Sequence, residues 1–154
     1  MSLEIERKFL VRDDRWRTLA QGQRLRQGYL SSHPDRVVRI RIEGEGALMT
    51  IKGRTTGATR GEWEYPIPLE DAAVFLQQLC EQPVIDKTRY RIAYRGMLWE
   101  VDEFHGDNAG LVVAEIELAS EDQPFEKPDW IGEEVTHDSR YFNANLLHHP
   151  YKDW

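Results

Sequence analysis

Glu4, Glu6 and Lys8 stand two residues apart at the beginning of the chain, in the run Glu4-Ile5-Glu6-Arg7-Lys8-Phe9-Leu10-Val11. On a β-strand, side chains alternate between faces with period two, so these three point the same way. Two carboxylates and an ammonium a few ångströms apart are an odd choice for a solvated surface. They suit a metal ion held beside a phosphate. The same alternation recurs along the chain. Arg39, Arg41 and Glu43 share a face against Val38, Ile40 and Ile42, and Thr50 and Lys52 oppose Met49 and Ile51. Glu62 and Glu64 oppose Trp63 and Tyr65, and Lys87, Arg89 and Arg91 oppose Tyr90 and Ile92. Glu100 and Asp102 oppose Trp99 and Val101; Glu115 and Glu117 oppose Ala114, Ile116 and Leu118.

Taken singly, each charged face reads as a wet surface over an apolar core. The set reads differently, because within a strand the charges mostly have one sign. Like charges two residues apart repel slightly and add nothing to a sheet. Repeated single-sign pairs therefore predict two facing patches, one cationic and one anionic. A barrel of roughly eight strands is just wide enough to enclose both with a small ligand between them. Its apolar faces would then point outward, under flanking helices. Condensed phosphate with a divalent metal needs such a set. Guanidinium and ammonium groups bind phosphoryl oxygens by charge-assisted hydrogen bonds, and magnesium or manganese takes hard oxygen ligands. Phosphoryl transfer asks mostly for positioning and charge neutralisation. A side-chain nucleophile is not required, since a metal lowers the pKa of its bound water.

The elements that must position these residues are mostly strands. Gln23 to Leu30, Val37 to Ile42, Ala47 to Lys52, Gly61 to Ile67, Thr88 to Arg95, Leu98 to Phe104 and Leu111 to Ala119 follow the first strand. Gly44-Glu45-Gly46 is a hairpin signal. Short helices are expected over Asp13 to Ala20, capped by Asp13 or Asp14, over Glu70 to Gln82, and over Asp138 to His148 before Pro150. Tight turns between short strands predict a mainly antiparallel sheet. The fold class is therefore α+β: an antiparallel eight-stranded β-barrel, or tunnel, with a charged interior and flanking helices, in one domain over residues 1–154.

The chain has 154 residues, 40% of them apolar, enough for one full core. A net charge of −7 argues against nucleic acid or an anionic membrane as partner. The lone Cys80 lies in an apolar stretch and reads as core. No apolar run approaches the ~20 residues of a membrane span, and the charged N-terminus is not a secretory signal, so a cytoplasmic location is expected. No G-x-x-x-x-G-K-[ST] loop is present. His105 and His137 lack partners at ligand spacing, and the His148-His149 pair beside Pro150, though able to bind metal, reads as incidental to a tail. Tyr29 reads as a packed aromatic or a ligand, and Arg91 as a residue of the tunnel mouth. Arg54 and Arg60 read as loop residues, and Trp16 and Trp154 as helix-packing aromatics.

The series on successive strands resembles the CYTH family, also called triphosphate tunnel metalloenzymes. The Glu4-x-Glu6-x-Lys8 triplet stands first. Gln27-Gly28-Tyr29-Leu30, Val38-Arg39-Ile40-Arg41, Thr50-Ile51-Lys52, Glu62-x-Glu64 and Lys87-Thr88-Arg89-Tyr90 follow. Trp99-Glu100-Val101-Asp102, Ala114-Glu115-Ile116-Glu117-Leu118, Trp130-Ile131-Gly132-x-Glu134-Val135-Thr136 and Arg140-Tyr141-Phe142-Asn143 complete it. The triplet alone is a weak signal; the ordered series is a strong one. The resemblance implies a tunnel that binds a triphosphate lengthwise. By position, Lys8, Arg39, Arg41, Lys52, Lys87 and Arg89 would contact phosphate. Glu4, Glu6, Glu115 and Glu117 would hold Mg²⁺ or Mn²⁺, with Asp102 and one of Glu62 or Glu64 assisting. Glu4, Glu6, Lys8, Glu115 and Glu117 would form the catalytic group. The implied activity is hydrolysis of inorganic tripolyphosphate to pyrophosphate and phosphate. A CYTH-type adenylate cyclase, a nucleoside or thiamine triphosphatase acting on substrates such as ATP, and a non-catalytic polyphosphate-binding module are the alternatives. The expected partner is a small triphosphate, with a homodimer left open.

Overall fold

Nine strands, all paired antiparallel, make up about half of the computed structural model, which describes residues 2–154. They are β1 (Ser2–Val11), β2 (Gln23–Ser31), β3 (Arg36–Glu43), β4 (Gly46–Gly53), β5 (Thr59–Pro66), β6 (Glu81–Tyr94), β7 (Met97–Phe104), β8 (Val112–Glu117) and β9 (Ile131–Glu134). The order is β5-β4-β3-β2-β6-β7-β8-β1-β9, and β5 also pairs with β1. That last pairing closes β1 to β8 into an eight-stranded barrel. One edge of β1 meets β8 from Glu6 to Leu10, with Glu6 opposite Glu117 and Lys8 opposite Glu115. Its other edge is shared: Glu4 lies opposite Arg60 of β5, and Phe9 opposite Glu134 of β9.

Cross-strand partners share a face, so the register shows which residues enter the barrel. Lys87 faces Phe104, Arg89 faces Asp102 and Arg91 faces Glu100. Gln27 faces Arg41, and Tyr29 faces Arg39. The inner wall is not charged along its whole length. Val37 precedes Arg39, Ile85 precedes Lys87, and Val113 precedes Glu115 on the same faces. These apolar residues join Tyr29, Phe104, Leu111, Tyr141, Leu146 and Leu147 in one buried cluster.

The outer wall is apolar and covered, the reverse of an ordinary barrel. Phe9, Trp99, Ile116, Trp130 and their neighbours form one outer cluster. Fully buried Trp99 meets Phe9 edge to face at 5.6 Å and Trp130 at 6.3 Å. Trp16 closes the cluster against Tyr90 at 5.0 Å. A second outer cluster packs Ala72, Leu76 and Cys80 on Ile40 and Ala47. Gly28 makes that approach possible: a Cβ there would stand 2.9 Å from Leu76 Cδ2 and from Cys80 Cβ. At the β3–β4 hairpin Gly44 takes φ of +59°, which L side chains seldom adopt.

The helical expectations need correction. The segment expected over Glu70 to Gln82 forms a helix α1 (Leu69–Val74), a wider turn Phe75–Leu79, and then extended chain from Cys80. Glu81 and Gln82 belong to β6, because Pro83 disfavours helix at the residue before it. Asp13 to Ala20 holds only a 3-10 turn, Arg15–Thr18; Asp14 makes no side-chain cap, while Asp13 Oδ1 accepts from Arg15 N at 3.0 Å. The tail breaks into a 3-10 turn Ser139–Tyr141, a short helix α2 (Asn143–Leu146) and a 3-10 turn Tyr151–Asp153. The helix breaks at Phe142, whose backbone is extended. β6 starts seven residues before its expected first residue, Thr88, and β9 was not foreseen. No helix among the described residues is long and apolar enough to cross a membrane.

Candidate active site

The barrel encloses a cavity of about 1210 Å³. Residues beyond both ends of β3, His33 and Glu45, line it, so it runs the length of that strand. The order of strands around the ring sorts the charges. β6, β2 and β3 are contiguous and bring Lys87, Arg89 and Arg91 together with Arg39 and Arg41. β5, β1, β8 and β7 are contiguous across the cavity and bring Glu62, Glu64, Glu4, Glu6, Glu115, Glu117 and Glu100. The two patches expected from the strand faces are thus opposite arcs of one wall.

The acidic arc carries its own cations. Lys8 Nζ donates to Glu6 Oε1 at 2.7 Å and to Glu115 Oε1 at 2.9 Å. Lys52 Nζ lies 2.8 Å from Glu4 and 3.7 Å from Glu62. Burial alone would pull the Lys8 ammonium down, but Glu115 and Glu6 outweigh it and hold it well above the ordinary lysine value. Glu6 is lowered despite its burial, chiefly by Lys8. Glu117 goes the other way: burial raises its carboxyl, and Glu4, Glu6 and Glu100 raise it further.

The cationic arc is short of partners. Arg41 makes no ion pair among the described residues; its Nε and Nη2 donate to Gln27 Oε1 at 3.1 and 3.0 Å. Arg39 Nη2 reaches Thr50 Oγ1 at 3.2 Å and stands 3.8 Å from Glu64, while its buried Nε has no hydrogen-bond partner among the described residues. Burial lowers Arg41 to about 9, with Arg39 and Arg89 adding to the push. Lys87, 1% exposed, is lowered to about 7, by burial and by the charges of Arg89 and Arg41, against the pull of Asp102.

Asp102 occupies another place than expected. It is 1% exposed and is not among the residues that line the cavity. Arg89 Nε and Nη2 donate to its two oxygens at 2.8 and 2.9 Å, and Lys87 Nζ lies 2.7 Å from one of them. Both oxygens are engaged, so its carboxyl, despite burial, is held far below the usual range by Arg89 and Lys87. Its partner on the cavity surface is Glu100, which lies 3.3 Å from Arg89 Nη1 and which the sequence reading did not single out as a ligand. Glu62 faces Lys52 near Glu4, whereas Glu64 accepts from Thr50 Oγ1 at 2.8 Å on the side of Arg39.

The residues assigned to metal are of the right type for a hard cation. Among the described residues no three of them are already drawn around one point; the ammonium groups of Lys8 and Lys52 stand between them. The donor set nonetheless fits. Glu6 and Glu117 are directly opposed in the ladder, an arrangement of like charges that costs stability without a counter-charge. Glu4 and Glu115 flank that pair.

Sequence reasoning missed Gln27, Thr50 and Asn143 as site residues. Register would have found Gln27, which stands opposite Arg41. Asn143 comes from the C-terminal segment, and its Oδ1 accepts from Lys87 Nζ at 2.7 Å and from Gln27 Nε2 at 2.9 Å. Phe142 lies beside Lys8, 5.9 Å from Nζ to ring centre. Tyr29 is buried and lines the cavity; its hydroxyl accepts from Gln27 Nε2 at 3.0 Å. Arg91 reaches Glu43 at 2.8 Å, near the β3–β4 turn. Cys80 is buried under α1, and burial raises its thiol to about 11, which suits a packed residue rather than a nucleophile. His105 bonds Thr88 Oγ1 at 2.7 Å and does not line the cavity.

Two proteins named inorganic triphosphatase are similar to this chain. That of Acetivibrio thermocellus is 51% identical over 154 residues, all of this chain and 99% of its own length. That of Nitrosomonas europaea is 40% identical over 151 residues, 93% of this chain and 95% of its own. A crystal structure of an inorganic triphosphatase superposes with a TM-score of 0.67 at 38% identity, covering 93% of this chain and 96% of that one. A putative adenylyl cyclase from Hippeastrum shares the fold, with a TM-score of 0.56 at 12% identity over 78% of this chain and 80% of its own. The CYTH domain model matches residues 2–151, and with the closed barrel and its opposed charged arcs this places the chain in the CYTH family.

Proposed function

We propose that the protein is an inorganic triphosphatase that hydrolyses tripolyphosphate to pyrophosphate and phosphate with Mg²⁺ or Mn²⁺. The observation that carries this reading is the excess of positive charge on the cationic arc. Arg39, Arg41, Lys87 and Arg89 gather buried or half-buried around the cavity, where Asp102 is fully engaged, Glu100 reaches Arg89 at 3.3 Å and Glu64 stands 3.8 Å from Arg39, so positive charge is in excess. A compact, highly charged anion offsets that excess. The two whole-length relatives named inorganic triphosphatase support the same substrate class.

In this reading Arg39, Arg41, Lys87 and Arg89 bind the phosphate chain from one side, and Lys8 and Lys52 from the other. Guanidinium forks and ammonium groups neutralise charge and hold the chain for in-line displacement. Glu4, Glu6, Glu115 and Glu117 would hold the metal, with Glu62 nearer to them than Glu64. The metal, when bound, supplies charge neutralisation and a more acidic bound water. Lys8 fixes Glu6 and Glu115 in place before the substrate arrives.

The test is to incubate the protein with tripolyphosphate, ATP and thiamine triphosphate, with and without Mg²⁺ or Mn²⁺, and to identify the products. Preferred release of phosphate and pyrophosphate from tripolyphosphate is expected. Faster turnover of ATP, or a cyclic product, would replace the substrate assignment with a nucleotide one. Binding without turnover under any metal would mark a polyphosphate-binding module.

A further inference from the structure

Asn143 links two cations of the cavity, Lys87 directly and Arg41 through Gln27, and the chemistry of those cations forces its orientation. Guanidinium and ammonium groups carry hydrogens only, so each must meet an acceptor. Arg41 therefore fixes Gln27 Oε1 toward itself, which turns Gln27 Nε2 toward Asn143. Lys87 Nζ, 2.7 Å from Asn143, likewise requires Oδ1 on its side. With Oδ1 held by two donors, the amide nitrogen of Asn143 must be on the other branch. It has no protein partner among the described residues, and Asn143 lines the cavity.

The geometry points to Asn143 as a phosphate-binding residue in its own right, one that presents its Nδ2 hydrogens to the substrate while Oδ1 steadies Lys87. This rests on the triphosphatase reading above and adds a neutral donor to its cationic set. The donor comes from the C-terminal segment, outside the barrel strands, so docking of that segment completes the anion site. A neutral amide there binds an anion without adding to the repulsion already felt by Lys87 and Arg41.

Two substitutions separate this role from mere support of Lys87. Asn143→Ala removes both functions. Asn143→Asp keeps the shape and both acceptor contacts, strengthens the pull on Lys87, and replaces the donors with a negative charge. The experiment is calorimetric titration of each protein with inorganic tripolyphosphate in metal-free buffer, with thermal melts of the same samples before addition. Loss of one hydrogen bond to a charged group predicts about tenfold weaker binding for Asn143→Ala, and Asn143→Asp should bind more weakly still. The melts without tripolyphosphate should show Asn143→Asp at or above the parent. Tighter binding by Asn143→Asp than by Asn143→Ala, or parent-like binding by either variant, overturns the assignment. Should Asn143→Ala fail to fold, the neutral Asn143→Ser, which removes Nδ2 without adding charge, takes its place: about tenfold weaker binding than the parent upholds the role and equal binding removes it. A parent that binds tripolyphosphate but does not hydrolyse it with metal would defeat the hydrolase reading, and the affinity order would still decide Asn143.

Discussion

Lys8 and Lys87 are both buried on the inner wall of one barrel, yet their ammonium groups are driven in opposite directions. Burial disfavours the charge in each case. At Lys8, Glu115 and Glu6 overcome burial and hold the proton firmly. At Lys87, Arg89 and Arg41 side with burial, and the single carboxylate of Asp102 is already shared with Arg89, so the value falls to about 7. The difference teaches how a protein with net charge −7 can bind an anion. Its acidic arc is neutralised internally by lysines, while its cationic arc is left in excess. Removing partners from the first arc should unfold or inactivate the protein. Removing charge from the second should relieve it and cost only ligand binding.

The largest expected effect lies on the acidic arc. Glu115→Gln preserves shape, removes one of the two carboxylates on Lys8, and removes a candidate metal ligand. Turnover of tripolyphosphate with Mg²⁺ should fall by about a thousandfold, the scale seen when one group that stabilises transition-state charge is lost, with the fold retained by circular dichroism. A parent-like rate would show that the acidic arc takes no part in the chemistry.

Next in size is a stability contrast between the two lysines. Lys8→Met leaves the half-buried Glu6 and Glu115 without their shared ammonium, which should cost about 3 kcal/mol in urea unfolding at neutral pH. Lys87→Met leaves Asp102 still held by both nitrogens of Arg89, so its cost should be near zero or negative. Equal losses in the two variants would erase the distinction between the arcs.

Ligand linkage should be comparable or slightly smaller. Tripolyphosphate at a hundredfold excess over Kd stabilises the native state by about 2.7 kcal/mol, a rise of about 5–10 °C in Tm for a domain of this size. Arg39→Ala and Arg41→Ala should leave the unligated protein as stable as the parent or slightly more so. Both should shrink the ligand-induced rise sharply. An undiminished rise in both variants would put these arginines outside the binding surface.

The smallest effect per measured step is the pH dependence of the unligated protein. The folded value of Lys87, about 7, lies below the ordinary 10.5, so the unfolded chain binds more protons between them. Stability should therefore rise with pH through that window, with a slope on the order of 1 kcal/mol per pH unit, and Lys87→Met should flatten the rise. Lys8, shifted upward, adds no slope there: its contribution is complete below its unfolded value and is lost only at higher pH. Denaturant melts at a series of pH values test both statements.

Much of the site was legible before the fold was known, because strand alternation is a local property. Arg39 and Arg41, Lys87 and Arg89, or Glu115 and Glu117 share a face in any extended chain. The helices were read less well. Glu70 to Gln82 has helical spacing, but Leu76 and Cys80 are pinned on Gly28 and the chain must enter β6. Asp102 was misjudged for a similar reason. Its face was right, but its engagement with Arg89 and Lys87 depends on β6 lying beside β7.

The sequence by itself determined the composition of the inner wall: which side chains turn inward, and the sign each strand contributes. Period-two geometry and charge need no knowledge of neighbours. Only the tertiary structure decided how those signs are paired. The ring order places β1 beside β8 and adds Glu115 to the Glu6 that Lys8 has on its own strand, while β6, β2 and β3 in succession bring Arg41 toward Lys87 and Arg89. The C-terminal segment, distant in sequence from both, then adds Asn143 to Lys87. Charge pairing across a cavity is set by distance in space, which neither period nor composition encodes.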